Sequence, residues 1–290
     1  MDGGRSSYDE AGEIMKIGVV GNGFVGHAMT LLRPAIDVIV WDIDPTKCEP
    51  VSLSFERFVN ESEIIFTAVP TPMSDTGECH VDIVKQTAER IRNINPDKMI
   101  VSRSTTPPGT CESIGINFMP EFLAERSWRT DFINCEQWII GTHDERVYNT
   151  VKKMFSIAHA GDRVINSEVI RTTPTEGEMI KYIKNCFLAV KVGYFNEIAA
   201  ICQAINIDFD TVRSLSCDDS RINHIASMVP GPDGKKGFGG TCLPKDTNAL
   251  VYYMEQLNVP NYIIKSAVNR NETIDRPGKD WKENKGRAVL

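Results

Sequence analysis

Short apolar runs recur along the first half of the chain, each closed by glycine, proline or a polar turn. Residues 16–20, 38–41, 64–69, 99–102 and 138–141 are such runs, continuous rather than alternating, as strands buried on both faces are. Between them, residues 27–32 and 82–94 carry the spacing of amphipathic helices. Strands alternating with helices predict an α/β fold with a parallel, doubly wound sheet. From about Thr175 the pattern becomes one long helical run whose apolar stripe includes Phe187, Leu188 and Val192. Thr175-Glu176-Gly177-Glu178 fits a capping box and gives that helix a physical start. A further helix is expected over 260–268, followed by a polar tail from Arg276 to Leu290.

The first strand runs into Gly21-Asn22-Gly23-Phe24-Val25-Gly26, a G-x-G-x-x-G. One glycine makes the tight turn, one lets a pyrophosphate approach the backbone, and one lets helix pack on strand. The phosphates then sit on free N–H groups at the positive end of a helix. Alone the motif is weak, but the second strand ends in Asp42, 21 residues after Gly21. An acidic residue there accepts hydrogen bonds from the adenosine ribose and repels a 2′-phosphate, which favours NAD. Asp44 competes for that role. Ligands bind beyond the carboxyl ends of such strands, where the Thr71 and Thr105 loops fall. The expected organisation is a flexible extension over 1–14, a Rossmann-like dinucleotide-binding domain over 15–173, a mostly helical central domain over 174–270 and a flexible tail over 271–290.

The bulk composition narrows the function by exclusion. The 290 residues are 41% hydrophobic and 24% charged, with a formal charge of −7 and no basic strip, which argues against nucleic acid. Positive groups that meet an anionic ligand must therefore be few and local, with Lys181, Arg221 and Lys245 as candidates. No run approaches about 20 apolar residues, as a membrane span needs, and the N-terminus lacks the apolar core of a signal peptide. Eight scattered cysteines without a C-x-x-C pair are expected to be reduced thiols in a cytoplasmic protein. The five histidines show no ligand spacing with them, so no metal is expected.

Three segments carry chemistry. Glu121 and Glu125 lie four apart in Pro120-Glu121-Phe122-Leu123-Ala124-Glu125; on spacing alone this reads as one exposed helical face. Lys181 and Asn185, four apart on the long helix, share a face and can clamp a developing oxyanion. Gly237-Phe238-Gly239-Gly240-Thr241-Cys242-Leu243-Pro244-Lys245-Asp246 packs glycines before a cysteine. Such a loop delivers a thiol to a helix N-terminus, a position that lowers its pKa, with Asp246 one turn on as a base. The other seven cysteines read as small buried hydrophobes.

In this order, the glycine turn, Val69-Pro70-Thr71-Pro72, Ser104-Thr105, the Pro120–Glu125 segment, Lys181-x-x-x-Asn185 and the Gly-Phe-Gly-Gly-x-Cys-x-Pro-Lys-Asp block resemble the UDP-glucose/GDP-mannose dehydrogenase family over about residues 15–270. The resemblance implies NAD-dependent oxidation of a sugar-nucleotide C6 hydroxyl to a carboxylate, with Cys242 forming a thiohemiacetal and then a thioester. It implies Lys181 and Asn185 at the oxyanion, Asp246 assisting water, and Thr105 and Glu125 in the same network. It places Glu121, Phe122, Leu123, Glu125, Arg221 and Gly239 near the substrate, Arg221 across a homodimer built on the long helix. It places Gly21, Gly23, Phe24, Val25, Gly26, Asp42, Lys47, Thr71, Thr105, Glu125 and Lys245 near the cofactor. Family members continue into a second doubly wound domain that holds the nucleotide, which this sequence does not contain. A truncated homologue that binds NAD without turnover is therefore an alternative. So is a 3-hydroxyacid or 6-phosphogluconate-type dehydrogenase, although it has no use for Cys242.

Overall fold

The computed structural model describes residues 14–290, so the extension expected over 1–14 lies, but for its last residue, outside the described residues. Seven strands form one sheet: β1 (Lys16–Val20), β2 (Asp37–Trp41), β3 (Ile64–Thr67), β4 (Met99–Ser102), β5 (Asn117–Phe118), β6 (Trp138–Gly141) and β7 (Val169–Thr172). Their spatial order is β2-β1-β3-β4-β5-β6-β7. The five strands expected from the apolar runs are all present. β5 and β7 were not legible, the first because two residues carry no period, the second because half of its residues are exposed. β5 meets β6 antiparallel through Phe118 and Gly141, so the sheet is mostly rather than wholly parallel.

Residues of one strand feed two cores. Ile64 and Phe66 join Ile17, Val19, Val38 and Val40 on one face, while Ile65 joins Val20, Ile39 and Ile100 on the other. α1 (Phe24–Ala28), α5 (Trp128–Ile133) and α6 (Glu145–Ala160) cover the first face; α2 (Phe55–Glu61), α3 (Asp82–Arg92) and α4 (Thr110–Ser113) cover the second. Each fully buried Ile, Val or Phe here contributes about 1.5–3 kcal/mol. The central part is α7 (Pro174–Ala204), α8 (Phe209–Cys217), α9 (Cys242–Gln256) and α10 (Tyr262–Arg270). Tyr182 and Cys186 of α7 pack with Ala249 and Leu250 of α9 and with Cys79 from the sheet domain, so one cluster joins the two parts.

The helix start differs from the expected capping box at Thr175 and Glu178. Thr173 is the cap: its hydroxyl accepts from the Glu176 N–H at 3.2 Å, and the Glu176 carboxylate accepts from the Thr173 N–H at 2.9 Å. Pro174 then takes the first helical position, where a missing N–H costs nothing. Glu178 is drawn inside instead, for reasons given below.

The segment over 271–290, expected as a flexible tail, is held by specific contacts. Asn271–Asp275 continues α10 as a π-helical turn, and Asp280–Glu283 forms a 3₁₀ turn. Trp281 and Ala288 are buried against Met73, whose N–H donates to the Ala288 carbonyl at 2.9 Å and whose carbonyl accepts from Leu290 N at 3.0 Å. A polar composition hid this, because one tryptophan and an exposed backbone edge suffice to anchor a short segment.

Hydrogen bonds from the Thr172 hydroxyl and from Thr173 hold the Glu176 carboxyl down at about 2. Its stabilisation is complete above the ordinary value of 4.5 and is lost as pH falls through about 2. Glu176→Gln is therefore expected to lower Tm at neutral pH, with a gap from the native protein that narrows between pH 4.5 and about 2. Thermal unfolding by circular dichroism reads it; a gap unchanged down to pH 2 rules out the cap as its source.

Candidate active site

Buried charges converge where α7, α9 and the loop after β5 meet. Lys181, on the first third of α7, donates to the Glu121 carboxylate at 2.7 Å and to the Glu121 carbonyl at 2.6 Å. Both side chains are almost fully buried, 4% and 5% exposed. Burial works against the Lys181 ammonium, but Glu121, Asp246 and the Cys242 thiol together outweigh it and raise its pKa. One turn along α7, Asn185 donates to an Asp246 carboxylate oxygen at 2.5 Å, and Lys245 donates to the other at 2.6 Å. The face shared by Lys181 and Asn185 thus meets the two acids expected near it. Glu121 and Glu125, however, do not form one exposed helical face: Glu121 turns in, its second oxygen accepting from Leu123 N at 2.8 Å, while Glu125 is exposed and pairs with Arg287 at 3.1 Å.

Cys242 is the first residue of α9 and is half-buried. The helix N-terminus was expected to lower its pKa. The structure reverses this: burial pushes the thiol up, Asp246 and Glu121 add to the rise, and Lys181 and Lys245 only oppose it. Desolvation and two nearby carboxylates outweigh the helix N-terminus. Lys245 is buried against Asp246, and Asp246 is held by two donors, Lys245 and Asn185.

The glycine turn fits a dinucleotide for three different reasons. Gly21 has φ +93°, and a side chain there would press on the Ala68 carbonyl. A side chain at Gly26 would overlap the Gly21 carbonyl, whereas Gly23 has no atom within 4 Å of where its Cβ would stand, leaving the approach a pyrophosphate requires. Asp42 lies over the turn, accepting from Asn22 N at 2.7 Å and from Asp44 N at 2.9 Å. Asp44 caps a short turn, accepting from Thr46 N at 3.0 Å. Lys47 is in that turn, 3.8 Å from Asp44. Thr71 and Thr105 are both buried, and the Cys79 thiol donates to the Thr105 carbonyl at 3.7 Å and lies 4.0 Å from that of Thr71. Phe24 faces Arg287 at 5.9 Å, and Val25 is half-buried beside it.

Phe122 lies under the Lys184 ammonium at 3.5 Å and 5.7 Å from that of Lys181. Gly239 is pressed against the Arg276 guanidinium. Arg221 is exposed and pairs with Asp219 within its own turn, outside the Cys242 cluster. The residue missed from the sequence is Glu178. Fully buried, it accepts from the Thr106 hydroxyl at 2.8 Å, Gly109 N at 2.7 Å and Cys111 N at 2.9 Å, tying α7 to the Thr105 loop. Its position three residues before Lys181, on the same face, was the available signal.

Known proteins share these features. Residues 49–159 match the NAD binding domain of the UDP-glucose/GDP-mannose dehydrogenase family, and residues 175–273 match its central domain. The chain belongs to that family. NAD is accordingly its cofactor. Among curated relatives, UDP-glucose 6-dehydrogenase YwqF of Bacillus subtilis is 32% identical over 75% of this chain and 50% of its own length. UDP-glucose 6-dehydrogenase TuaD of the same organism is 31% identical over 89% and 63%. The chain thus spans about half to two-thirds of these relatives. A solved UDP-glucose dehydrogenase from Pyrobaculum islandicum superposes with a TM-score of 0.77 at 24% identity, over 92% of this chain and 70% of that one. A 3-hydroxyisobutyrate dehydrogenase of Mycobacterium tuberculosis shares the fold at 16% identity, with a TM-score of 0.66, over 91% of this chain and 95% of its own. For this family member the glycine turn lies outside the matched residues, and its geometry supports NAD independently.

Two outcomes follow for the site. Glu121→Gln leaves a buried ammonium with a weaker partner, and a loss of about 3–5 kcal/mol is expected in urea unfolding. A loss under about 1 kcal/mol, typical of an exposed pair, would show that the pair is not buried in solution. With burial holding the thiol up, alkylation of Cys242 by iodoacetamide is expected to go on accelerating with pH past the ordinary thiol value of 9.0, read on the Cys242 peptide by mass spectrometry. A plateau below pH 8 contradicts the raised pKa.

Proposed function

We propose that the protein oxidises the C6 hydroxyl of a nucleotide sugar, UDP-glucose first among them, to the carboxylate through a covalent intermediate on Cys242. The observation that carries this reading is the buried charges of Lys181, Asp246 and Lys245 acting on one thiol, with Asn185 holding Asp246. The family and the relatives named UDP-glucose 6-dehydrogenase support the substrate class.

The glycine turn with Asp42, and Thr71, Thr105 and Lys47 around it, hold NAD, which when bound accepts the hydrides that leave C6. Phe122, Leu123, Gly239 and, from a second copy, Arg221 frame the sugar; Glu125 stands at the rim. As the hydroxyl is oxidised, Lys181 faces the developing oxyanion. An ammonium has three donors and Glu121 takes two, leaving one for the substrate. Asn185 helps to orient that oxygen. The Cys242 thiol loses its proton and its sulfur bonds to the aldehyde carbon, giving a thiohemiacetal. Loss of a second hydride together with the hydroxyl proton gives a thioester, and water, assisted by Asp246, adds to the carbonyl and breaks the C–S bond, releasing the acid while the sulfur takes a proton back. Covalent capture divides a difficult oxidation and retains the aldehyde.

NADH formation on mixing the protein, NAD and UDP-glucose tests this, with other nucleotide sugars as further arms. Two NADH per substrate are expected from the native protein and none of the second oxidation from Cys242→Ser. Lys181→Met should lower kcat about 10²–10³-fold, the worth of one oxyanion donor. NAD binding without turnover on any nucleotide sugar would sink the catalytic reading in favour of a non-catalytic homologue; turnover untouched by the serine change would sink the covalent one.

A homodimer through α7 belongs to the same proposal. Met179, Ile183, Phe187, Tyr194 and Ile201 stand exposed along one stripe of that helix, and Tyr262 and Ile263 of α10 border it. Apolar stripes of this length on a helix are covered in stable proteins. Light scattering should give twice the chain mass, and Phe187→Glu should shift it to the monomer; a native monomer at all concentrations excludes the dimer. The eight free thiols fit a reducing, cytoplasmic setting.

A further inference from the structure

The loop that delivers Cys242 rests on the segment after α10. Asn271, 2% exposed, accepts from Phe238 N at 2.8 Å and donates to the Phe238 carbonyl at 2.9 Å. One side-chain amide therefore takes both backbone groups of one loop residue, as a neighbouring strand would. Arg276, 5% exposed, donates through Nε to the Lys236 carbonyl at 3.1 Å and pairs with Asp233. Asn196 of α7, the helix of Lys181 and Asn185, accepts from Gly237 N at 3.2 Å.

The glycines fit this bed closely. A side chain at Gly237, which has φ +67°, would strike the Asn271 amide, and one at Gly239 would overlap the Arg276 guanidinium. The glycines before Cys242 therefore serve to let the loop approach these two residues as well as a ligand. The bed itself is the π-helical turn Asn271–Asp275, and the Arg276 N–H closes it on the Asn271 carbonyl at 2.8 Å. Such turns occur often at functional sites, because one extra residue re-aims the side chains that follow.

We propose that Asn271 and Arg276 are positioning residues that fix the Cys242 thiol relative to Lys181 and Asp246. They touch no reacting atom; they act through the backbone of Lys236 to Gly239, which ends three residues before the start of α9. This rests on the covalent reading above only for its catalytic consequence, because the placement and burial of the thiol are properties of the fold.

Asn271→Leu removes both bonds at similar size, Asn271→Asp keeps the acceptor but sets a carboxylate against a carbonyl, and Arg276→Lys keeps the charge without the planar fork. In each full-length variant shown to be folded by cooperative unfolding, Cys242 alkylation is followed from about pH 6 to 10. Freeing the loop returns water to the thiol, so the rate near pH 8 should rise at least about fivefold and its midpoint should move down. With UDP-glucose, the NADH yield should fall from two per substrate toward one, with aldehyde captured by a carbonyl reagent and NAD affinity unchanged. A merely structural loss lowers both oxidations together and leaves that ratio at two. Should the protein lack turnover altogether, the alkylation profiles still decide. Profiles of folded variants that superimpose on the native one overturn the proposal, and if Asn271→Leu does not fold, Arg276→Lys decides in the same way.

Discussion

Burying a charge costs several kcal/mol unless a partner is placed within hydrogen-bond reach. α7 meets this demand three times along one face. Glu178 is answered by the Thr106 hydroxyl and two backbone N–H groups, Lys181 is answered by Glu121, and Asn185 itself answers the buried Asp246 carboxylate. Each partner comes from a different segment: the loop after β4, the loop after β5, and α9. The helix thereby fixes those three segments relative to one another, and the candidate site is the space they enclose. Apolar packing through Tyr182 and Cys186 holds the same segments together but does not select their register as directional bonds do.

The arrangement sets the chemistry as well as the geometry. Burial raises the Cys242 thiol and works against the Lys181 ammonium, whose pKa is raised by the acids beside it. Neutral thiol and charged ammonium are therefore the resting forms, and the thiol needs a nearby base or an arriving substrate to become a nucleophile. Asp246 lies beside it, held by Lys245 and Asn185 in one orientation. Fixed dipoles and charges of this kind need no rearrangement when charge develops on a substrate oxygen.

The contacts at 271–290 give the second part of the chain a role beyond helix packing. Asn271 and Arg276 carry the Cys242 loop, and Arg287, farther on, reaches Glu125 and the Phe24 ring at the glycine turn. A segment of low hydrophobicity thus touches both the thiol loop and the cofactor side of the molecule.

What the sequence determined alone was whatever is written locally. Five apolar runs specify five strands, the glycines specify the tight turn from β1 into α1, and Lys181 with Asn185 four residues on must share a helix face. These follow from backbone geometry within a few residues, which no distant contact has to complete. Tertiary structure decided the rest: that Thr173 and not Thr175 caps α7, that Glu178 is a buried anchor, that Cys242 holds its proton, and that the tail is docked. The cap is decided within three residues, between Thr173 and Glu176, but elsewhere partners far along the chain take part, as Thr106 does for Glu178 and Phe238 for Asn271. Whether a polar side chain is solvated, paired or desolvated depends on which surfaces fold over it, and sequence spacing carries no record of that.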